Sequence, residues 1–111
     1  MVEVVLRSIK EDPTFEVDLL EFSSVDDTLS FTLEVPRGLL RLKKGDKAIF
    51  SLGEEEEGDL VMKGLVYKVD DDSNSLEVSF HGLWLRMRYE KPLPFNLTEG
   101  QKVYLTLKFT K

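Results

Sequence analysis

Much of the chain alternates apolar and polar residues one by one, the period of a strand lying half in a core and half in water. The cleanest case is Thr28 to Val35, where Leu29, Phe31, Leu33 and Val35 are separated by Ser30, Thr32 and Glu34. Such a run marks a sheet with one wet face. Val2 to Lys10 reads the same way, with Val2, Val4 and Leu6 on one face. Thr14 to Ser23 is apolar at Phe15, Val17 and Leu19, then at Leu20 and Phe22. That change of parity predicts a bulge near Leu19-Leu20. Lys47 to Leu52, Leu60 to Val69 and Lys102 to Phe109 are further strands, the last with Val103, Leu105, Leu107 and Phe109 inward. Turn formers separate these runs at Glu11-Asp12-Pro13, Val25-Asp26-Asp27, Pro36-Arg37-Gly38, Lys44-Gly45-Asp46 and Glu99-Gly100. Leu39 to Leu42 is a short connector with room for one helical turn. Glu90 to Asn96, with Pro92 and Pro94, is expected to be extended chain outside the sheet.

The stretch from Gly58 to Arg88 organises the rest. Leu60 to Val69 and Leu76 to Met87 flank the acidic turn Asp70-Asp71-Asp72-Ser73-Asn74 and read as an antiparallel hairpin. In the second run Leu76, Val78 and Phe80 are apolar at even numbers, whereas Leu83, Leu85 and Met87 are apolar at odd numbers. A strand changes its buried face by one residue only through an extra residue or a break, so the pattern predicts a bulge at His81-Gly82. Trp84, Arg86 and Arg88 then share the outer face.

No segment carries a sustained helical period, and about seven or eight strands at near-regular spacing predict an all-β barrel or sandwich with almost no helix. Leu42-Lys43-Lys44-Gly45-Asp46-Lys47-Ala48-Ile49-Phe50-Ser51-Leu52 is echoed by Leu97-Thr98-Glu99-Gly100-Gln101-Lys102-Val103-Tyr104-Leu105-Thr106-Leu107. The echo is either the ordinary likeness of two turn-plus-strand segments or the mark of two related half-barrels.

Composition narrows the function. One domain over 1–111 suits the 111 residues, and 41% hydrophobic residues suffice for a packed core. There is no cysteine, so no disulfide and no thiolate metal site, which fits a reducing compartment. No apolar run reaches the ~18 residues of a membrane span, and the opening MVEVVLRSIKED is too charged for a secretory signal. These readings predict a soluble intracellular protein. The net charge of −6, from 15 basic and 21 acidic residues, opposes polyanion binding.

Few residues offer chemistry. The Asp70–Asn74 turn resembles the start of a calcium loop, but Ser75 replaces the needed glycine, His81 stands where the bidentate Glu belongs, and strands flank it. It reads as a solvated turn. His81 is the only histidine and has no evident catalytic partner. No catalytic motif, cofactor or metal set is expected. Arg37, Arg41, Lys43, Lys44 and Lys47 form a basic patch, read as a solvated connector or a protein contact before a phosphate contact. Trp84, Arg86 and Arg88 form the sharpest feature. Trp and Arg are enriched at protein–protein hot spots, an aromatic–arginine strip also stacks single-stranded bases, and a Trp also serves to cover a barrel end.

Val61-Met62-Lys63-Gly64-Leu65-Val66-Tyr67, Val78-Ser79-Phe80-His81-Gly82-Leu83-Trp84-Leu85-Arg86 and Val103-Tyr104-Leu105 occur in order and with fitting spacing. They resemble the C-terminal half of the small eighth subunit shared by eukaryotic nuclear RNA polymerases, and equally that of its counterpart in the archaeal RNA polymerase. Leu42 to Lys47 is the chief likeness in the N-terminal half. At His81 this chain departs from the eukaryotic pattern, which tends to a second glycine. The resemblance implies an OB-like antiparallel β-barrel built of two halves. It also implies a non-catalytic structural subunit of a multisubunit DNA-directed RNA polymerase, cytoplasmic in an archaeon and nuclear in a eukaryote. The partner it implies is the largest subunit, docked near the pore or funnel, with nucleic acid only indirectly involved and no small-molecule ligand or membrane. The contact surface expected is His81, Gly82, Trp84, Arg86 and Arg88, with Arg37, Arg41, Lys43, Lys44 and Lys47 as a secondary contact. A free-standing OB-type binder of single-stranded nucleic acid is the alternative.

Overall fold

The computed structural model describes residues 1–90, 92, 93 and 95–110. These form eight strands: β1 (Val2–Asp12), β2 (Val17–Ser24), β3 (Leu29–Pro36), β4 (Lys47–Gly53), β5 (Leu60–Asp70), β6 (Ser75–Phe80), β7 (Leu83–Tyr89) and β8 (Lys102–Phe109). All pairings are antiparallel and the sheet closes on itself in the order β1-β2-β3-β7-β6-β5-β8-β4. The described residues contain no helix. Closure gives every strand a neighbour on both sides, which removes the usual template for sheet-to-sheet aggregation.

The alternation along each strand sorts the side chains. Val4, Leu6, Leu20, Phe22, Leu33, Phe50, Val78, Leu85, Met87, Leu105 and Leu107 are among the residues that fill the interior. Phe22, Phe31 and Phe50 form a stack through it, with ring centroids 5.1 and 4.4 Å apart, and Phe95 meets Phe50 edge-on at 5.6 Å.

The two halves of the chain are built alike. Leu6 donates its N–H to Asp46 O (2.8 Å) and accepts from Gly45 N–H (2.8 Å); Val66 does the same with Gln101 O (2.9 Å) and Gly100 N–H (2.8 Å). The register slips by one residue after each of these, at Arg7 in β1 and at Tyr67 in β5. Asp12 then caps the β1–β2 turn by accepting from Thr14 and Phe15 N–H, as Asp70 caps the β5–β6 turn by accepting from Asp72 and Ser73 N–H. Each turn ends on a left-handed residue, Glu16 at φ 55° and Asn74 at φ 53°. Leu6 pairs with Phe22 and Phe22 with Phe31, as Val66 pairs with Val78 and Val78 with Leu85. A pseudo-twofold axis therefore passes through the pairs Thr32–Arg86 and Ser51–Thr106. The echo between Leu42–Leu52 and Leu97–Leu107 is a real correspondence of structure.

The structure corrects four expectations. Leu76 to Met87 is not one bulged strand. His81 (φ 54°) and Gly82 (φ 96°) form a two-residue turn, and Phe80 pairs with Leu83 across it. Both residues are left-handed, which suits a hairpin turn whose twist matches the strands it joins. The parity flips because the chain reverses, and the outer face of Trp84, Arg86 and Arg88 is unchanged. The hairpin expected over Leu60 to Met87 is thus a three-stranded meander. No bulge occurs at Leu19-Leu20: β2 starts at Val17, and Phe15 belongs to the turn, 75% exposed. The real slips are at Arg7 and Tyr67. Leu39 to Leu42 forms bends, not a helical turn. Leu83, expected to face the core, packs against it half-buried. Between Glu90 and Asn96 the described residues make no strand, while Lys91 and Pro94 lie outside the described residues.

Gly64 is needed for a close approach. A Cβ there would run into the Ser79 carbonyl oxygen and the Phe80 ring. Gly64→Ala should destabilise the barrel by ~1–3 kcal/mol, the usual cost of overpacking, read as a lower urea midpoint at unchanged slope. The turns predict an acid response. Asp26 is held below its ordinary 3.8, chiefly by the Thr28 hydroxyl and then by that of Ser24. Asp70 is likewise held below 3.8, chiefly by the Ser73 N–H. Because both are depressed in the folded state, their stabilisation is complete above the ordinary carboxylate value and is lost as pH falls through the folded one. Asp26→Asn with Asp70→Asn should therefore lower stability at neutral pH and flatten its decline below about pH 4, measured by urea melts from neutral pH through that range.

Candidate functional site

The outer face of the β5-β6-β7 meander carries the candidate site. Trp84 is half-buried against that face, with the Tyr67 ring edge-on at 5.2 Å and 88°. The Arg86 guanidinium lies 5.5 Å from the centroid of the Trp84 ring, and its Nε donates to Glu77 Oε1 at 3.3 Å. The Trp84 backbone N–H donates to Glu34 Oε1 at 3.0 Å. A cation over an exposed indole contributes about 0.5–1 kcal/mol, and an exposed ion pair a similar amount at most. Their greater effect is to hold Arg86 in one orientation, which lowers the entropy lost when a partner meets it.

Tyr67 was legible only as part of the family likeness, yet it completes this cluster. It is the slipped residue of β5 and is 63% exposed. The signal lies in β5 itself, where inward Leu60, Met62 and Val66 are followed by Val69 at odd parity. Leu65 and Val61, also outward and exposed, continue the apolar strip along β5. Leu65 pairs with Ser79 and Ser79 with Trp84, so they form one cross-strand row.

The structure brings Trp84, Arg86 and Arg88 to one face, as expected, but Trp84 is packed rather than freely exposed. His81 and Gly82 are exposed at the hairpin tip beside them. The basic patch is a separate place. Arg37 pairs with Glu11 at 3.4 Å. Lys47 opens β4, four strands from β7 in either direction round the barrel. Arg41 lines a shallow hollow with Asp46 and Asp59. Arg37, Arg41, Lys43, Lys44 and Lys47 are all exposed, and the acids beside them offset their charge. The Asp70 carboxylate is engaged by its own turn, consistent with a structural loop.

The pseudo-twofold supplies an internal comparison. β3 and β7 are equivalent strands, so Ser30, Thr32 and Glu34 occupy the positions of Trp84, Arg86 and Arg88. Arg7 in turn occupies the position of Tyr67. The first half thus shows what the equivalent outer strand carries at the same places. The second half replaces a serine, a threonine and a glutamate by a tryptophan and two arginines. Nothing in the packing of the barrel requires that change, because Phe31, Leu33 and Val35 and their equivalents Leu85, Met87 and Tyr89 are buried alike.

Comparison of the chain with protein-family models gives no match, and comparison with curated proteins gives no match of significance. Glu34→Ala removes the acceptor for Trp84 N–H and, being outside the core, should cost less than ~1.5 kcal/mol of stability. It should shift the Trp84 backbone amide resonance, read by heteronuclear NMR.

Proposed function

We propose that this barrel is a non-catalytic structural subunit of a multisubunit DNA-directed RNA polymerase, seated by the outer face of β7 on the periphery of the largest subunit near its pore or funnel. The observation that carries the reading is the departure of Trp84, Arg86 and Arg88 from their equivalents Ser30, Thr32 and Glu34. The residues of the family likeness support it: Gly64 is the close approach, Phe80 and Leu85 are core, and Tyr67, Trp84 and Arg86 lie together outside. In this role the subunit supports assembly and stability, while phosphoryl transfer and its Mg²⁺ belong to the large subunits.

The physics of the face fits a protein partner. Trp84 and Tyr67 offer apolar area, and Arg86 and Arg88 offer charge-assisted hydrogen bonds to carboxylates or carbonyls. A tagged chain should co-purify with a polymerase-sized complex, identified by mass spectrometry of its partners. Trp84→Ala with Arg86→Ala should weaken that association by more than ~2 kcal/mol and change the free domain's stability by less. Leu85→Ala should do the reverse, costing ~2–5 kcal/mol of stability. A chain that purifies alone, or a Trp84→Ala variant that unfolds while Leu85→Ala is tolerated, would contradict the proposal. Single-stranded oligonucleotide should bind weakly at physiological salt, since the net charge of −6 opposes the term that dominates nonspecific binding. Sub-micromolar, steeply salt-dependent binding would favour the nucleic-acid alternative.

A further inference from the structure

Beside the Trp84 ridge, the outer sheet has a depression of about 480 Å³ whose shape follows from three small residues. Ser23 pairs with Ser30, Ser30 with Arg88, and Arg88 with Ser75. Four adjacent strands, β2, β3, β7 and β6, thus place serine, serine, arginine and serine in one outward row. The absence of bulk at three of the four positions makes a trough, and Arg88 stands in it with a hydroxyl on each side. Arg7, the slipped residue of β1, forms one end and donates its Nε to Ser23 Oγ at 2.7 Å. Lys68, just past the slip in β5, lines it as well.

The charges there are unequally satisfied. Arg86 is paired with Glu77 at 3.3 Å and Glu21 with Lys10 at 3.4 Å. Arg7 reaches Asp27 only at 3.8 Å. Arg88 and Lys68 belong to no ion pair among the described residues. A chain with a net charge of −6 therefore keeps a local surplus of cations over a floor of hydroxyls. Guanidinium and hydroxyl donors converging on one space fit an oxyanion.

We infer that this trough takes a single aspartate or glutamate side chain from an extended segment of a protein partner, with Arg88 as its charge partner and the serine hydroxyls as further donors. The inference rests on the docking reading for its setting and deepens it by naming the chemistry of the partner's contact. A nucleic-acid strand fits less well. Its phosphates repeat along the chain and would pass the carboxylates of Glu21 and Glu77, which also line the trough. The trough offers no outward ring for bases to stack on, since Phe22 and Phe31 are buried in the core. A single carboxylate needs only the one place where the acids are already engaged.

The test is made on the free chain of 111 residues, ¹⁵N-labelled. It is titrated at physiological salt with a serine heptapeptide carrying one central Glu, and in parallel with the same peptide carrying Gln for Glu. The Glu peptide should shift the amide resonances of Ser23, Ser30, Ser75 and Arg88 and leave the far strand β4 unmoved. The Gln peptide should not. Arg88→Ala should weaken binding at least about tenfold, with Arg88→Lys between it and the parent. Ser30→Leu, which fills the floor, should abolish the shifts, with the dispersed barrel spectrum showing that the fold is intact. No shift with the Glu peptide, equal shifts with the Gln peptide, or an Arg88→Ala variant that binds as the parent does would overturn the inference. Displacement of the peptide by equimolar single-stranded oligonucleotide or inorganic phosphate would overturn it too, in favour of a phosphate site. Because this experiment needs no polymerase, its failure leaves the docking reading to stand or fall on co-purification alone.

Discussion

Antiparallel closure of the sheet is the constraint on which everything else depends. Once β3 pairs with β7 and β4 with β8, the two four-stranded halves have no free edge, and the register of eight pairings fixes which residues point inward. A shift of one residue in any of them would turn a core row outward. The Phe22, Phe31 and Phe50 stack shows how strongly the interior resists such a shift. The same register places the outward residues, so the backbone positions of Trp84, Arg86 and Arg88 are properties of the barrel and not of a loop.

The near-symmetry of the halves gives meaning to the places where they differ. Backbone devices are kept: the paired hydrogen bonds of Leu6 and Val66, the slips at Arg7 and Tyr67, and the aspartate caps at Asp12 and Asp70. What differs is the chemistry of outward side chains on equivalent strands. Structural necessity explains the devices that are shared. It does not explain a tryptophan and two arginines where the other half has serine, threonine and glutamate. Chemistry left unexplained by the fold is what the proposed partner face would account for.

Most of the fold was legible because period-two alternation is strong in β3, β4, β6, β7 and β8. The faces of Leu85 and Trp84 followed from it directly. Where the structure departs from that pattern, the reason is local backbone geometry. A two-residue reversal and a one-residue insertion both flip parity at His81-Gly82, and only the pairing of Phe80 with Leu83 tells them apart. Phe15 looks like an inward strand residue because an exposed aromatic in a turn carries the same sequence signal as a buried one. The slips at Arg7 and Tyr67 show locally only as a parity change, from Leu6 to Ile9 and from Val66 to Val69, while the turns at Gly45 and Gly100 that bond Leu6 and Val66 lie elsewhere in the chain. The serine-floored trough was beyond reach for a similar reason. Ser23, Ser30 and Ser75 are ordinary polar residues in sequence, and register alone puts them in one row.

Whether β7 has a partner face over and above what the barrel needs can be read by transplanting the outer face of β3 onto it. The variant carries Trp84→Ser, Arg86→Thr and Arg88→Glu, which are the residues found at the equivalent positions of the first half. The variant and the unaltered chain are compared by thermal melt and by tagged co-purification. We expect the variant to unfold in one cooperative transition, yet to be lost from the polymerase-sized complex that retains the unaltered chain. A variant that co-purifies in the same yield as the unaltered chain, or one that no longer folds, would contradict a partner face on β7.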